Sequence, residues 1–101
     1  MPTYDVTDTF RKDLAVLDQV DRRRLRKAVM ELVADLESPD RSIRPGLRIK
    51  GVQGVQGARG AYELTWAPDG RATFEYGAEL RTGEAHVVWR RIGTHDIFTR
   101  P

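Results

Sequence analysis

The apolar positions of the N-terminal third recur at helical spacing. Phe10, Leu14, Leu17 and Val20 are four, three and three residues apart, which puts them on one face of a helix. Thr7 or Asp8 supplies the oxygen for its N-cap. A break follows between Asp18 and Asp21, and Asp21 stands where it can cap a second helix. The apolar set of that helix is Leu25, Ala28, Val29, Leu32, Val33 and Leu36, with Arg22, Arg23, Arg26 and Lys27 mostly on the opposite face. Ser38-Pro39-Asp40 ends it, because proline turns its predecessor away from helical angles. Thr3–Val6, ahead of both, is a short strand candidate. Two amphipathic helices with a short link predict a helical hairpin.

After Asp40 the period shortens. Leu47 and Ile49 alternate with Arg48 and Lys50 and run toward Val52, the pattern of a strand. Gly51, Gly54, Gly57 and Gly60 then recur every three residues. The run is too short and too poor in proline for a collagen-like helix, and no Gly-Lys-Ser/Thr follows to make a phosphate loop. It predicts a flexible or bulged connection. Residues 61–66 alternate, with Leu64 and Trp66 on one side and Glu63 and Thr65 on the other. Ala67-Pro68-Asp69-Gly70 is a turn signal, and residues 71–76 return with Ala72, Phe74 and Tyr76 against Arg71, Thr73 and Glu75. A loop over 77–85 leads to a third strand at 86–92, which Gly93 ends, and 94–98 form a turn or short terminal helix.

The expected architecture is a single α+β domain over residues 1–101, with an N-terminal helical hairpin packed on one face of a small antiparallel sheet. The other face, carrying Glu63, Thr65, Arg71, Thr73 and Glu75, is left open to a ligand or partner.

Composition narrows the class. A chain of 101 residues holds about one domain, and 40% apolar with 32% charged residues is too balanced for disorder. No apolar run of about 18 residues predicts a membrane span, and the N-terminus has no secretion signal. The absence of cysteine excludes disulfides and thiolate metal sites and suits a soluble protein of the cytosol. Charge is unevenly spread. Residues 1–40 carry seven basic and nine acidic side chains, whereas residues 41–62 carry Arg41, Arg44, Arg48, Lys50 and Arg59 with no acid. That stretch attracts a phosphate backbone whatever its base sequence.

Candidate chemistry gathers near the last strands. Arg71 directly follows the hairpin turn, and a guanidinium grips phosphate with two parallel hydrogen bonds. His95 lies on a loop just past a strand, where an imidazole can give or take a proton near neutral pH. No histidine pair or carboxylate cluster has metal-ligand spacing, and no serine or cysteine sits in a nucleophile motif. RNA needs no protein nucleophile, since its own 2′-hydroxyl can attack the neighbouring phosphate. The protein must then position the strand, protonate the leaving 5′-oxygen and stabilise added negative charge. His95 fits the proton transfer and Arg71 the charge. Phe98 is the aromatic placed to stack on a base, or else to close the core.

These residues resemble the RelE/ParE toxin superfamily over nearly the whole chain. The resemblance rests on two N-terminal helices before the sheet, on Tyr62-Glu63-Leu64-Thr65-Trp66, on Asp69-Gly70-Arg71-Ala72-Thr73-Phe74-Glu75-Tyr76, and on the tail Ile92-Gly93-Thr94-His95-Asp96-Ile97-Phe98. The tail is most similar to the YafQ-type branch. The resemblance implies a RelE-like fold and a metal-independent, cofactor-free, ribosome-dependent endoribonuclease that cuts messenger RNA. It implies catalytic roles for His95 and Arg71 and an RNA contact for Phe98. Family members carry lysines where Glu63 and Thr65 stand here, and the YafQ-type branch uses further histidines that are absent between Met1 and Ala85. Arg48, Lys50 and Arg91 are the basic residues expected to replace them as substrate contacts. The resemblance also implies a cognate antitoxin with a DNA-binding domain, whose acidic segment would face the basic stretch. ParE-like gyrase inhibitors share the fold without the catalytic tail, and a non-catalytic protein-binding module is the third reading; His95 together with Arg71 favours the nuclease.

Overall fold

The computed structural model describes residues 1–52 and 60–98, the side chains of His95 and Phe98 excepted. The glycine-rich connection predicted around Gly54 and Gly57 therefore lies outside the described residues. The elements are β1 (Thr3–Val6), α1 (Asp8–Val16), α2 (Gln19–Glu37), a 3₁₀ turn (Pro45–Leu47), β2 (Lys50–Gly51), β3 (Tyr62–Thr65), β4 (Gly70–Gly77), β5 (His86–Thr94) and a second 3₁₀ turn (His95–Phe98).

Both helices begin at side-chain caps. The Thr7 hydroxyl accepts the Phe10 N–H at 3.0 Å. Asp18, not Asp21, caps α2: its carboxylate accepts the Asp21 N–H at 2.8 Å. Leu17 is the C-cap of α1, so Val20 falls in the first turn of the second helix and is exposed instead of extending the first apolar face. Leu25, Ala28, Leu32 and Leu36 of α2 and Phe10 of α1 are buried against Leu64, Ala72, Phe74, Val87, Trp89 and Ile92 of the sheet. Phe74 anchors this layer, with ring centroids 5.2 Å from Trp89 and 5.7 Å from Tyr62.

The sheet order is β1-β5-β4-β3-β2. The hairpin forms in the expected register, with Leu64 opposite Ala72 and Thr65 opposite Arg71. Three features depart from expectation. The sheet is mixed, because β1 pairs parallel with β5, Thr3 opposite His86 through Val6 opposite Trp89. The strand expected from Leu47 shrinks to Lys50–Gly51. Pro45 fixes φ at the start of a 3₁₀ turn there, and Arg48 leaves that turn in the left-handed region at φ 50°. Finally, β5 continues through Gly93 to Thr94.

One bulge organises the end of β5. Phe74 pairs with Trp89 but Thr73 pairs with Arg91, so Arg90 is an extra residue in the ladder. Here β1 has already ended, and the edge of β5 needs new partners. The Thr7 N–H donates to the Trp89 carbonyl at 3.0 Å and its hydroxyl to the Arg90 carbonyl at 2.7 Å. Asp13, on α1, accepts the Ile92 N–H at 2.9 Å and takes the Arg91 guanidinium at 2.8 and 3.3 Å. Helix α1 thus replaces the missing strand. Asp13→Ala removes the carboxylate that the Arg91 guanidinium and the Ile92 N–H share. It is expected to destabilise the protein by about 2–4 kcal/mol in urea titration, and Asp13→Asn, which keeps an acceptor, by less.

A second ion cluster ties α2 to the segment after it. Arg44 donates to Asp35 through Nε (2.9 Å), Nη2 (2.8 Å) and its backbone N–H (2.9 Å), and to Glu31 through Nη1 at 2.8 Å. These hydrogen bonds from Arg44 hold the Asp35 carboxyl at about 2, below its ordinary 3.8. A lowered carboxyl stabilises the fold fully above its unfolded value and loses that contribution as pH falls through the folded one. Acid unfolding should therefore steepen between pH about 4 and 2, and Arg44→Ala should flatten that part of a Tm–pH curve.

Candidate active site

Alternation along the strands puts Glu63 and Thr65 of β3 and Arg71, Thr73 and Glu75 of β4 on the face away from the helices. This face is less open than expected. Glu63 is 4% and Thr73 7% exposed. The chain after β5 folds back over it. Gly93 is paired with Arg71, so it shares that face, and a Cβ added there would lie 2.8 Å from Ile97 Cγ2. Ile97 is itself buried, at 5% exposure, outside the main core cluster. The second 3₁₀ turn is therefore packed on the sheet through Ile97, on the face opposite α1 and α2.

Arg71 differs from the freely exposed arginine expected. It is half-buried, and its Nη1 donates to the carbonyls of Gly70 (3.0 Å), Pro68 (3.3 Å) and Ala67 (3.4 Å). The guanidinium thus holds its own turn together while Nε and Nη2 have no partner among the described residues. His95 follows Thr94, and Thr94 pairs with Gly70, the residue before Arg71. The register brings the backbones of positions 71 and 95 to the same end of the sheet. The side chains of His95 and Phe98 lie outside the described residues.

The other basic candidates divide sharply. Arg91 is turned to Asp13, whose carboxylate takes its Nε at 2.8 Å. Lys50 lies opposite Glu63 in the β2–β3 ladder and pairs with its carboxylate at 3.0 Å. Its head stays exposed but its charge is balanced. Arg48 is exposed and has no ion-pair partner among the described residues. The expected run of free positive charge is largely neutralised. Arg44 is held by Asp35 and Glu31, and Arg41 donates to the Gly83 carbonyl at 2.8 Å and to Glu79 at 3.4 Å. Sequence spacing hides this, because every one of these acids is distant along the chain. Glu63 is the clearest case: alternation alone reads it as a solvated strand residue.

His86 serves structure. It is buried, its Nε2 donates to Asp5 at 3.1 Å, and its Nδ1 is hydrogen-bonded to the Thr3 hydroxyl at 2.7 Å. Gly77, its partner on β4, leaves room for the ring, since a Cβ there would approach His86 Cδ2 to 2.8 Å. One imidazole therefore fastens β1 to β5 beside β4. Among the described residues, no group of histidine, aspartate and glutamate is arranged to hold a metal ion, and no helix is long and apolar enough to cross a membrane.

No protein-family model matches the chain, and no curated protein matches it. Among solved structures, YafQ from E. coli superposes with a TM-score of 0.69 at 15% identity, over 96% of this chain and 97% of that one. YafQ in the E. coli DinJ–YafQ complex gives 0.67 at 14% identity, over 96% and 97%. The RelB–RelE antitoxin–toxin complex from Methanococcus jannaschii gives 0.61 at 18% identity, over 95% of each chain. The chain has the fold of the YafQ and RelE toxins.

Packing of the tail on Gly93 is directly testable. Gly93→Ala forces Ile97 to move and should shift the amide resonances of residues 95–98 and speed proteolysis of the tail, at a cost of about 1–3 kcal/mol. Gly46→Ala, where an added Cβ meets nothing within 4 Å, should do neither.

Proposed function

We propose that this chain, a YafQ–RelE-type fold, is the toxin of a toxin–antitoxin pair, one catalytic domain over residues 1–101 that cuts messenger RNA on the ribosome. The observation that carries this reading is the rung between Gly70 and Thr94: Arg71 follows one of its members and His95 the other. A guanidinium and an imidazole carried at one end of a rigid sheet can supply charge stabilisation and the leaving-group proton for a metal-free phosphoryl transfer.

In the proposed reaction the 2′-hydroxyl passes its proton to a water molecule and attacks the adjacent phosphorus. The bond from phosphorus to the 5′-oxygen breaks, and a 2′,3′-cyclic phosphate forms. His95 delivers a proton to the departing 5′-oxygen. Arg71, through Nε and Nη2, binds the phosphate oxygens as their charge grows. Its Nη1 bonds to three turn carbonyls fix the guanidinium beforehand, so little reorganisation accompanies the step. Phe98 stacks on a base beside the cut and Arg48 binds a flanking phosphate. Such a reaction takes place in the cytoplasm, where the message is being translated.

An antitoxin partner agrees with a second surface. An apolar groove of about 610 Å³ opens between β1 and the helices, lined by Val6, Phe10, Leu14, Leu25, Val29 and Trp89 among others. β1 is also a sheet edge. An exposed apolar groove beside the outer edge of a sheet is the surface a flexible partner segment covers. DinJ and RelB partner the toxins of the same fold.

The test is a reconstituted translation reaction followed by mapping of message ends. The wild-type protein is expected to cut message at the ribosomal A site. His95→Ala should reduce cutting by about 10²–10⁴-fold with an unchanged melt. Arg71→Ala should reduce it similarly and lose about 1–2 kcal/mol of stability from the turn it ties. Intact message accompanied by DNA breaks would instead identify a gyrase inhibitor and overturn the proposal.

A further inference from the structure

We infer that the cleft between α2 and the β3–β4 turn is a second phosphate-binding site, which holds the single-stranded RNA backbone flanking the cut. The inference rests on the nuclease reading for the identity of its ligand. It adds Lys27 of α2, which the sequence pattern assigns to the helix face opposite the apolar set, and Arg24, which that pattern leaves unassigned.

The cleft has a volume of about 640 Å³. It is lined by Arg24 and Lys27 of α2, by Arg48 after the first 3₁₀ turn, and by Thr65, Trp66 and Pro68 at the β3–β4 turn. Its charge is only partly compensated. Arg24 makes one exposed 3.4 Å pair with Asp21, and Lys27 and Arg48 have no ion-pair partner among the described residues. The one acid in the lining, Glu31, is already engaged by Arg44 at 2.8 Å. Three cations around one cleft, two of them without an ion pair among the described residues and the third in a weak exposed pair, favour an anion there.

Backbone conformation supports the same ligand. Arg48 occupies the left-handed region, where glycine is cheaper and arginine is uncommon. A position that keeps an unfavourable side chain points to a use for that side chain. The charges of α2 also run against its dipole: Arg22, Arg23, Arg24, Arg26 and Lys27 lie in its N-terminal half, while Asp35 and Glu37 lie at its C-terminal end. Helix stability does not select that order.

Location gives the ligand its continuity with the candidate active site. Ala67 and Pro68 line the cleft, and their carbonyls are two of those that hold Arg71. One turn therefore separates the cleft from the guanidinium proposed to meet the scissile phosphate. A strand crossing that turn would present successive phosphates to Arg71 and to the cleft. The Trp66 indole, whose N–H is buried without an acceptor among the described residues, lies in the intervening wall.

The experiment measures binding of the full chain to a labelled 2′-O-methyl RNA of about ten nucleotides by fluorescence anisotropy across a salt series, with message cleavage assayed in parallel. Each phosphate neutralised on a single strand contributes about 0.7 to the salt slope. The triple variant Arg24→Gln, Lys27→Gln, Arg48→Gly should bind at least about tenfold more weakly and lose about 2 from the slope. Arg48→Gly alone should weaken binding while its Tm holds or rises, because the backbone strain is relieved. Unchanged affinity and slope in the triple variant would overturn the cleft, and with wild-type cleavage intact would leave the nuclease reading standing. Weakened binding in the triple variant, with no cleavage by the wild type, would support the cleft and sink the nuclease. Wild-type binding to polyglutamate but not to RNA would assign the cleft to an acidic protein and overturn the inference.

Discussion

The fold depends on how β5 is finished. This strand carries Val87, Trp89 and Ile92 into the core, yet its last residues must deliver the tail to the opposite face. The bulge at Arg90 makes both possible, and Asp13 makes the bulge tolerable by capturing the backbone donor and the cation it leaves beside α1. A carboxylate from the first helix therefore completes the free edge of the last strand. The polar candidates at positions 71 and 95 are brought together only because β5 stays in register with β4 through Thr94.

Rigidity at the candidate site comes from backbone carbonyls more than from side-chain pairs. Arg71 is held by the turn that precedes it, and the turn is tight because Gly70 leaves space for the Trp66 ring; a Cβ there would come within 2.6 Å of it. The same four-residue connection borders the cleft beneath α2. Fixing one short turn thus fixes two cationic surfaces relative to each other, without an added element. By contrast, Lys50 and Arg91 are held by Glu63 and Asp13, and their charges serve the sheet.

Much of this was legible in the sequence, for identifiable reasons. Helix periodicity located α1 and α2, and strict alternation around Pro68-Asp69-Gly70 located the hairpin with its register. Those signals are local. The parallel pairing of β1 with β5 is not, since it joins residues more than eighty positions apart through a buried histidine that looks unremarkable at a strand start. The strand expected at Leu47 failed because Pro45 imposes a turn that overrides three alternating residues. The openness of the polar face was misjudged for a related reason: alternation predicts which way side chains point but not that the following chain will fold over them. At the candidate site, Arg71 and His95 could be singled out by residue type and position. The neutralisation of Lys50 and Arg91 could not, because the acids that meet them come from elsewhere in the fold.

The buried ring of His86 reaches three strands: it is bonded to Thr3 and Asp5 on β1, belongs to β5, and fills the space that Gly77 leaves on β4. Positions 3, 5, 77 and 86 consequently cannot drift independently. A lineage that replaces the glycine must shrink the ring, and one that loses the ring must find another anchor for the first strand. Homologous chains should inherit these four residues as a set or abandon them together.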